Sequence, residues 1–398
     1  MSNKRRDNKN RVLRTGESQR LDGRYAYKYV DTFGKPQFVY AWKLVPTDKT
    51  PAGKRDDLSL REKAESINKD LADGIDTIGR KMTVCQLYAK QNRQRGNVKH
   101  NTKISRDRLM KMLSQDKLGG CSIDSVKMSD AKEWALRMAE LGYSYHTINN
   151  SKRSLKAAFY TAIEDDCIRK NPFNFKLNTV IADTTPLKEP LSATQEKDLL
   201  AFVQGDKVYC KYYDDLIILL ETGLRISELC GLTDADLDFE KRVIKVDHQL
   251  LYGTEIGYYT EPPKTESGIR QIPMSENVYV ALKNVIRNRR GASHFIIDGY
   301  SNFLFISERT GKPRLSGNYD SVFRGIHKKY SKSCTVPLPD IFTPHTMRHT
   351  FCTNKADAGM NPKALQYIMG HSNIIMTLNY YAHANFESAQ AEMLRLAA

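Results

Sequence analysis

Four of the nine histidines in this 398-residue chain, His345, His349, His371 and His383, fall in the last 54 residues. They stand in Thr343-Pro344-His345-Thr346-Met347-Arg348-His349, in Met369-Gly370-His371-Ser372 and in Asn379-Tyr380-Tyr381-Ala382-His383. On a helix that begins at Pro344, His345 shares a face with Arg348 and His349, which lie three and four residues on. A fixed cation and imidazoles that titrate near neutrality thus fall in the same short stretch of sequence as a pair of phenols, the makings of a tyrosine nucleophile with its base. Zinc is the competing use of clustered histidines. It would need a thiolate or carboxylate set with open geometry, and an arginine between the ligands would repel the ion. No metal and no cofactor are expected.

The charge says what such a nucleophile would attack. The chain carries 62 Lys+Arg against 46 Asp+Glu, a formal net charge of +16. Residues 1–80 hold 18 basic and 12 acidic side chains, residues 81–180 hold 19 and 9, and the remainder holds 25 of each. Two consecutive basic modules followed by a neutral one point to a polyanion, with nucleic acid favoured over a merely solvated basic surface. A composition of 40% hydrophobic and 27% charged residues is that of ordinary globular domains, two to four of them at roughly 100–200 residues each. The longest apolar run considered, Leu216 to Leu220, is far short of the roughly 18 residues a membrane span needs. Met1-Ser2-Asn3-Lys4-Arg5-Arg6 leads into polar residues, so no secretory signal is expected. The 7 cysteines are scattered and odd in number, with no CxxC pair, and read as reduced thiols of a cytoplasmic protein.

Several elements must position these groups. Asp22-Gly23 is a turn signal, followed by alternating Tyr25, Tyr27 and Tyr29; a second turn at Phe33-Gly34-Lys35 precedes alternating Phe38, Tyr40, Trp42 and Leu44. Two strands, with room for a third, are expected, their aromatics serving as core rather than as a base-stacking platform. Ser59 with Glu62 makes a capping box ahead of the stripe Leu60, Ala64, Ile67 and Leu71, which ends near Gly74. Helices are expected over 83–92, 104–118, 130–141 and 146–166, with Lys99, Lys103, Arg106, Lys152, Arg153 and Lys156 exposed. Asn171 to Pro190, with three prolines, reads as a linker. A second capping box, Ser192 with Gln195, opens a third segment. Its helices are expected over 214–221, 225–230, 278–290, 319–330, 344–358, 363–369 and 374–383, around a β-rich stretch from Val243 to Pro273.

Five short motifs in this segment resemble those of the tyrosine recombinases, the family of lambda integrase, Cre and the Xer proteins. Thr222-Gly223-Leu224-Arg225-Ile226-Ser227-Glu228-Leu229 is similar to the family's first arginine motif. Pro263-Lys264-Thr265 followed by Arg270-Gln271-Ile272-Pro273 is similar to its β-hairpin lysine, and His345-Thr346-Met347-Arg348-His349 to its HxxR box. Leu365 to His371 resembles the LGH box, with Met369 in place of the usual leucine, and Tyr381-Ala382-His383 the tyrosine box. One motif alone would be weak; five in order over about 160 residues are specific. The first 80 residues and the stretch Asn361 to Met369 further resemble integrases of conjugative transposons.

The chemistry agrees with the resemblance. In-line attack on a phosphodiester adds negative charge in the transition state, and no acidic cluster suits magnesium, whereas Arg225 and Arg348 can clamp the non-bridging oxygens. A phenol of pKa near ~10 must lose its proton as it attacks, and His345 is the candidate base. Lys264 is the candidate acid for the departing 5′-hydroxyl, His371 a phosphate or orienting ligand, and Glu228 a residue that orients the Arg225 helix. His349 and His383 are read as structural. The family spacing from the LGH histidine fits both Tyr380 and Tyr381; Tyr-x-His favours Tyr381, with Tyr380 as core. The resemblance implies a 3′-phosphotyrosyl intermediate.

The expected fold is multidomain α+β. A small N-terminal three-stranded sheet with a helix (residues 1–80) would bind arm-type DNA sites. A helical core-binding domain (81–180), a linker (181–190) and a mixed, mainly α catalytic domain (191–384) would follow, with a tail helix (385–398) docking on a neighbouring protomer or folding back. The expected activity is site-specific integration and excision of a mobile element, on double-stranded DNA and as a homo-oligomer, a tetramer by resemblance. An excisionase partner is implied only by the resemblance. A non-catalytic DNA-binding regulator on the same scaffold and a tyrosine topoisomerase are the alternatives.

Overall fold

The computed structural model describes residues 5–31, 34–74, 79–96, 98–186, 188–289 and 295–381, together with Gln390 and Met393. His383 and all of the expected tail helix (385–398) except Gln390 and Met393 lie outside the described residues. The chain divides into two compact units, Met1–Thr185 and Pro186–Ala398.

The first unit opens with an antiparallel meander of β1 (Glu17–Gln19), β2 (Tyr25–Val30) and β3 (Pro36–Ala41). The Ser59–Glu62 capping box starts α1 (Leu60–Ala72), whose Leu60 joins Tyr25, Ala41 and Leu44 in a small core. Register decides which aromatics are inside. Tyr25 pairs with Ala41, and both face the helix; one residue along, Tyr40 and Phe38 fall on the opposite face, 38% and 54% exposed. The expectation that the strand aromatics are core therefore holds for Tyr25 but not for Phe38 and Tyr40. On that outer side Arg20 and Arg24 lie over the Tyr40 ring, and Arg24 and Lys54 over Trp42.

Four helices follow in the same unit: α2 (Val84–Gln94), α3 (His100–Gln115), α4 (Met128–Glu140) and α5 (Tyr145–Glu164). Their apolar stripes meet in a core that includes Leu113, Trp134, Leu155 and Phe159. Two sequence expectations fail here. Phe173 and Leu177, assigned to the linker, are buried in this core, with the Phe173 ring centroid 5.3 Å from that of Phe159. The chain at Asn171–Leu177 thus plugs the helical core before it becomes a connection. Lys152 is buried rather than exposed, its ammonium 4.6 Å from the centre of the Phe175 ring, which replaces part of its hydration.

The second unit is built on α6 (Ala193–Gly205), α7 (Tyr213–Thr222) and α8 (Ile226–Gly231). Next come β4 (Leu237–Asp238), β5 (Val243–Val246), β6 (Gln249–Gly253), β7 (Gly257–Glu261) and β8 (Arg270–Pro273). The sheet order is β4-β5-β8, with β6 and β7 as a separate hairpin. Then follow α9 (Glu276–Asn288), α10 (Ser316–Tyr330), α11 (Pro344–Asp357), α12 (Pro362–Met369) and α13 (Ile374–Leu378). Leu219, Leu229, Ile244, Phe303, Phe323 and Met347 are among the side chains that close the core. The helix α13 stops five residues before the expected end, so Tyr380 and Tyr381 lie beyond it in a turn.

Two glycines in left-handed conformation end helices of this unit. Gly223 (φ 63) stops α7 and lets the chain turn straight into α8, with Arg225 at its N-cap; Gly370 (φ 60) stops α12 just before His371. At Gly223 a Cβ would lie 2.5 Å from a Phe351 ring carbon, so packing as well as backbone conformation demands glycine.

Candidate active site

Arg225 is partly exposed, its Nη1 2.7 Å from Glu228 Oε1 and its Nη2 donating to the Gly370 carbonyl at 3.1 Å. The Glu228 carboxylate also accepts the Arg225 backbone N–H at 2.9 Å, closing the first turn of α8, and receives Arg270 Nη2 at 2.8 Å. Burial pushes the Glu228 pKa up, but Arg270 and Arg225 outweigh it and hold it down at about 2, so the group is a carboxylate. Arg348, 3% exposed, donates to the carbonyls of Gly223 and Met369 at the ends of α7 and α12. Burial and the nearby Arg225 push its pKa down to about 9, which leaves it a cation at neutral pH.

The histidines respond to the same field. His371 is 5% exposed, and its Nδ1 lies 3.0 Å from Thr377 Oγ1. Burial, Arg348 and Arg225 lower its pKa to about 4, so it is neutral. His345 meets solvent on one side; crowding on the other, with Lys188, Arg348, His349 and Arg225 nearby, lowers its pKa as well. His349 has a buried Nδ1 without a hydrogen-bond partner among the described residues, and its ring centroid is 4.9 Å from that of Tyr380.

Arg225, His345, Arg348 and His371 thus lie within electrostatic reach of one another, two guanidinium cations beside two neutral imidazoles. Lys264 is exposed in the connection from β7 to β8, past the β6–β7 hairpin rather than on it. Tyr381 is not gathered into the group: its hydroxyl donates to the Met360 carbonyl at 2.5 Å. Tyr380 is the tyrosine whose pKa registers Arg348; burial and Cys352 raise it, and Arg348 opposes them. Both rings pack on the small cluster around Phe351 and Cys352.

One residue of consequence carried no assigned role from the sequence. Arg270 is buried with its side chain 0% exposed and links Glu228 to the carbonyls of Gly268 and Ile368. A signal existed: Arg270 shares a strand face with Ile272, itself buried, and a charge on a buried strand face requires a partner. Elsewhere Asp236, Asp247 and His248 come close enough to suggest a cation site. Both ring nitrogens of His248 are taken, however, by Asp247 and by the Gly231 carbonyl.

Comparison with known proteins places this geometry in a family. Residues 189–388 match the profile of the phage integrase family, and residues 1–71 match that of the DNA binding domain of Tn916 integrase. The transposase from transposon Tn916 of Enterococcus faecalis is 62% identical over 396 residues, covering 100% of this chain and 97% of that protein. The solved structure of the Tn1549 transposon integrase with a circular intermediate DNA is similar at 66% identity and a TM-score of 0.76, covering 79% of this chain and 99% of that one. A lambda integrase tetramer bound to a Holliday junction, at 16% identity and a TM-score of 0.54, covers 95% of this chain and 98% of that one and shares the fold. No helix among the described residues is long and apolar enough to cross a membrane. The chain belongs to the phage integrase family of tyrosine recombinases.

Proposed function

We propose that this recombinase integrates and excises a mobile element of the conjugative-transposon kind by transesterification through tyrosine, with Arg225, Lys264, His345, Arg348, His371 and Tyr381 as its working residues. The observation that carries the reading is the pairing of two anchored guanidiniums, Arg225 and Arg348, with two neutral imidazoles, His345 and His371. The guanidiniums bind the non-bridging oxygens of the scissile phosphate and stabilise the charge that builds on them. Their anchors are backbone carbonyls of the helix ends, so little reorganisation accompanies the reaction. Neutral His345 accepts the phenolic proton as the tyrosine oxygen attacks phosphorus, and His371 hydrogen-bonds the phosphate through Nε2. The bond from phosphorus to O5′ breaks, and Lys264 donates a proton to the leaving oxygen. The products are a 3′-phosphotyrosyl enzyme and a free 5′-hydroxyl. Attack by the 5′-hydroxyl of a partner strand reverses each transfer, so no nucleotide cofactor is required.

Residues 1–80 serve arm-type sites, supported by the exposed aromatic and basic face beside Tyr40 and Trp42. Residues 81–180 grip the core site together with the catalytic domain, 191–384, the connection being 181–190. A tetramer on DNA, a tail docked between protomers, an excisionase as accessory partner and action in the cytoplasm complete the proposal. Tyr380 supports a second reading of the nucleophile, because Arg348 and His349 lie nearer to it while the Tyr381 hydroxyl is held at Met360.

Covalent trapping on a nicked suicide duplex from the element end, without magnesium, tests both readings. Loss of the protein–DNA adduct only in Tyr381→Phe supports the main assignment, and loss only in Tyr380→Phe moves the nucleophile by one residue. A wild-type protein that binds the duplex yet forms no adduct would refute the mechanism.

A further inference from the structure

The segment Pro263–Gly268 carries Lys264 out into solvent, yet its base is held from several sides. Gly268 is buried while residues 264–267 are exposed. The Gly268 N–H donates to the Thr265 carbonyl at 2.8 Å, and Ile269 N–H to the Glu266 carbonyl at 2.9 Å, closing a tight 3-10 turn. A Cβ on Gly268 would fall 2.3 Å from Pro263 Cβ, so the two limbs of the turn touch across the missing side chain. Arg270 Nη1 donates to the Gly268 carbonyl at 2.9 Å, its Nη2 holds Glu228 at 2.8 Å, and its Nε donates to the Ile368 carbonyl at 2.6 Å. A Cβ on Gly370 would lie 3.2 Å from Gly268 Cα, so the turn also rests on the residue before His371.

From this geometry we infer that Gly268 and Arg270 form a clasp that sets the reach of Lys264, and that they are positioning residues for protonation of the leaving group. The inference rests on the reading of Lys264 as the acid. Lys264 itself is a long side chain on an exposed turn, and a rotamer-rich donor delivers a proton only where its backbone is fixed within hydrogen-bond reach. The clasp supplies that fixity. It ties the lysine turn to the carboxylate that orients Arg225 and to the helix end that presents His371.

Gly268→Ala tests the clasp without altering a charge, since the new methyl group strikes Pro263 and displaces the lysine limb. The full-length protein is assayed on two suicide duplexes, one natural and one with sulfur in place of the bridging 5′-oxygen. In the second the bond from phosphorus to sulfur breaks and a thiolate leaves without needing a proton. Lys264→Ala is the reference. Gly268→Ala is expected to cleave the oxygen substrate on the order of 10²-fold more slowly and the sulfur substrate within about threefold of wild type. Arg270→Lys, which keeps the charge but cannot reach all three acceptors, is expected to show the same preferential loss on oxygen. If Lys264→Ala discriminates between the substrates while both other variants lose them equally, or lose neither, the clasp is wrong. If Lys264→Ala itself does not discriminate, the assignment of the acid fails and takes the inference with it.

Discussion

Replacing Glu228 by glutamine removes one charge and should disturb both the stability and the chemistry of the catalytic unit. The carboxylate accepts four hydrogen bonds, from the Arg225 backbone, Arg225 Nη1 and both terminal nitrogens of Arg270. Glutamine has one acceptor oxygen and would turn an amide donor toward a guanidinium. Arg225 is 37% exposed on its side chain and can recover hydration, but Arg270 is 0% exposed and cannot. Breaking such a buried pair from one side costs about 3–5 kcal/mol. For a unit of this size that corresponds to a fall of about 6–20 °C in its midpoint. Calorimetry of the full chain reads it, and Trp42 and Trp134, the 2 tryptophans, both lie before residue 186, so fluorescence identifies the other unit's transition. Arg225→Gln should destabilise the unit far less, by about 1 kcal/mol, because the arginine is partly hydrated. It should nevertheless slow adduct formation on the order of 10²–10³-fold or more. A Glu228→Gln protein that melts within a degree of wild type would refute the claim that this carboxylate is what compensates Arg270.

Acidification should weaken the catalytic unit well above the range of carboxylates. His371 has a native pKa of about 4 against about 6.5 when unfolded, so the unfolded chain binds the proton first and stability falls as pH drops from about 6.5 toward 4. The loss from His371 alone is about 2 kcal/mol by pH 5, and the lowered His345 pKa adds in the same sense. Glu228, held near 2, loses its contribution only below about 4.5, but buried Asp215, raised to about 6, binds its proton first in the folded state and opposes the histidines between pH 7.5 and 5. The His371 loss is therefore read as the difference between wild type and His371→Gln across that window, and identical profiles contradict the assigned environment. Deletion of residues 1–80 should abolish binding to arm repeats and spare core-site cleavage, read by gel shift and adduct formation. Core-site affinity should drop about 10³-fold or more between ~50 and ~200 mM salt, and a shallow dependence would argue against a phosphate grip by the basic helices.

Much of the local structure was legible because its causes are local. The capping boxes at Ser59 and Ser192 form as read, since the hydrogen bonds span only three residues. Alternation along 38–44 marked a strand, but a period of two has two phases, and only packing on α1 put Tyr25 and Ala41 inside and Phe38 outside. Lys152 and Phe173 were misplaced because no neighbour in sequence reveals that Phe175 will cover one and Trp134 and Phe159 will receive the other. The turn that carries Tyr380 and Tyr381 escaped the helical reading because α13 stops at Leu378, before either of them.

For the site, the sequence by itself determined the residue types and their order: two arginines, two histidines, a lysine and a tyrosine pair along one segment, and a basic half of the chain ahead of it. Only the tertiary structure decided how they are held. Arg348 reaches the Gly223 carbonyl across 125 residues, and Arg270 reaches Glu228 across 42. Neither contact leaves a periodic trace, because each depends on which helix ends and strand faces the folded core brings together. The low histidine pKa values come from the same source, since burial and the field of neighbouring cations exist only once those distant segments have met.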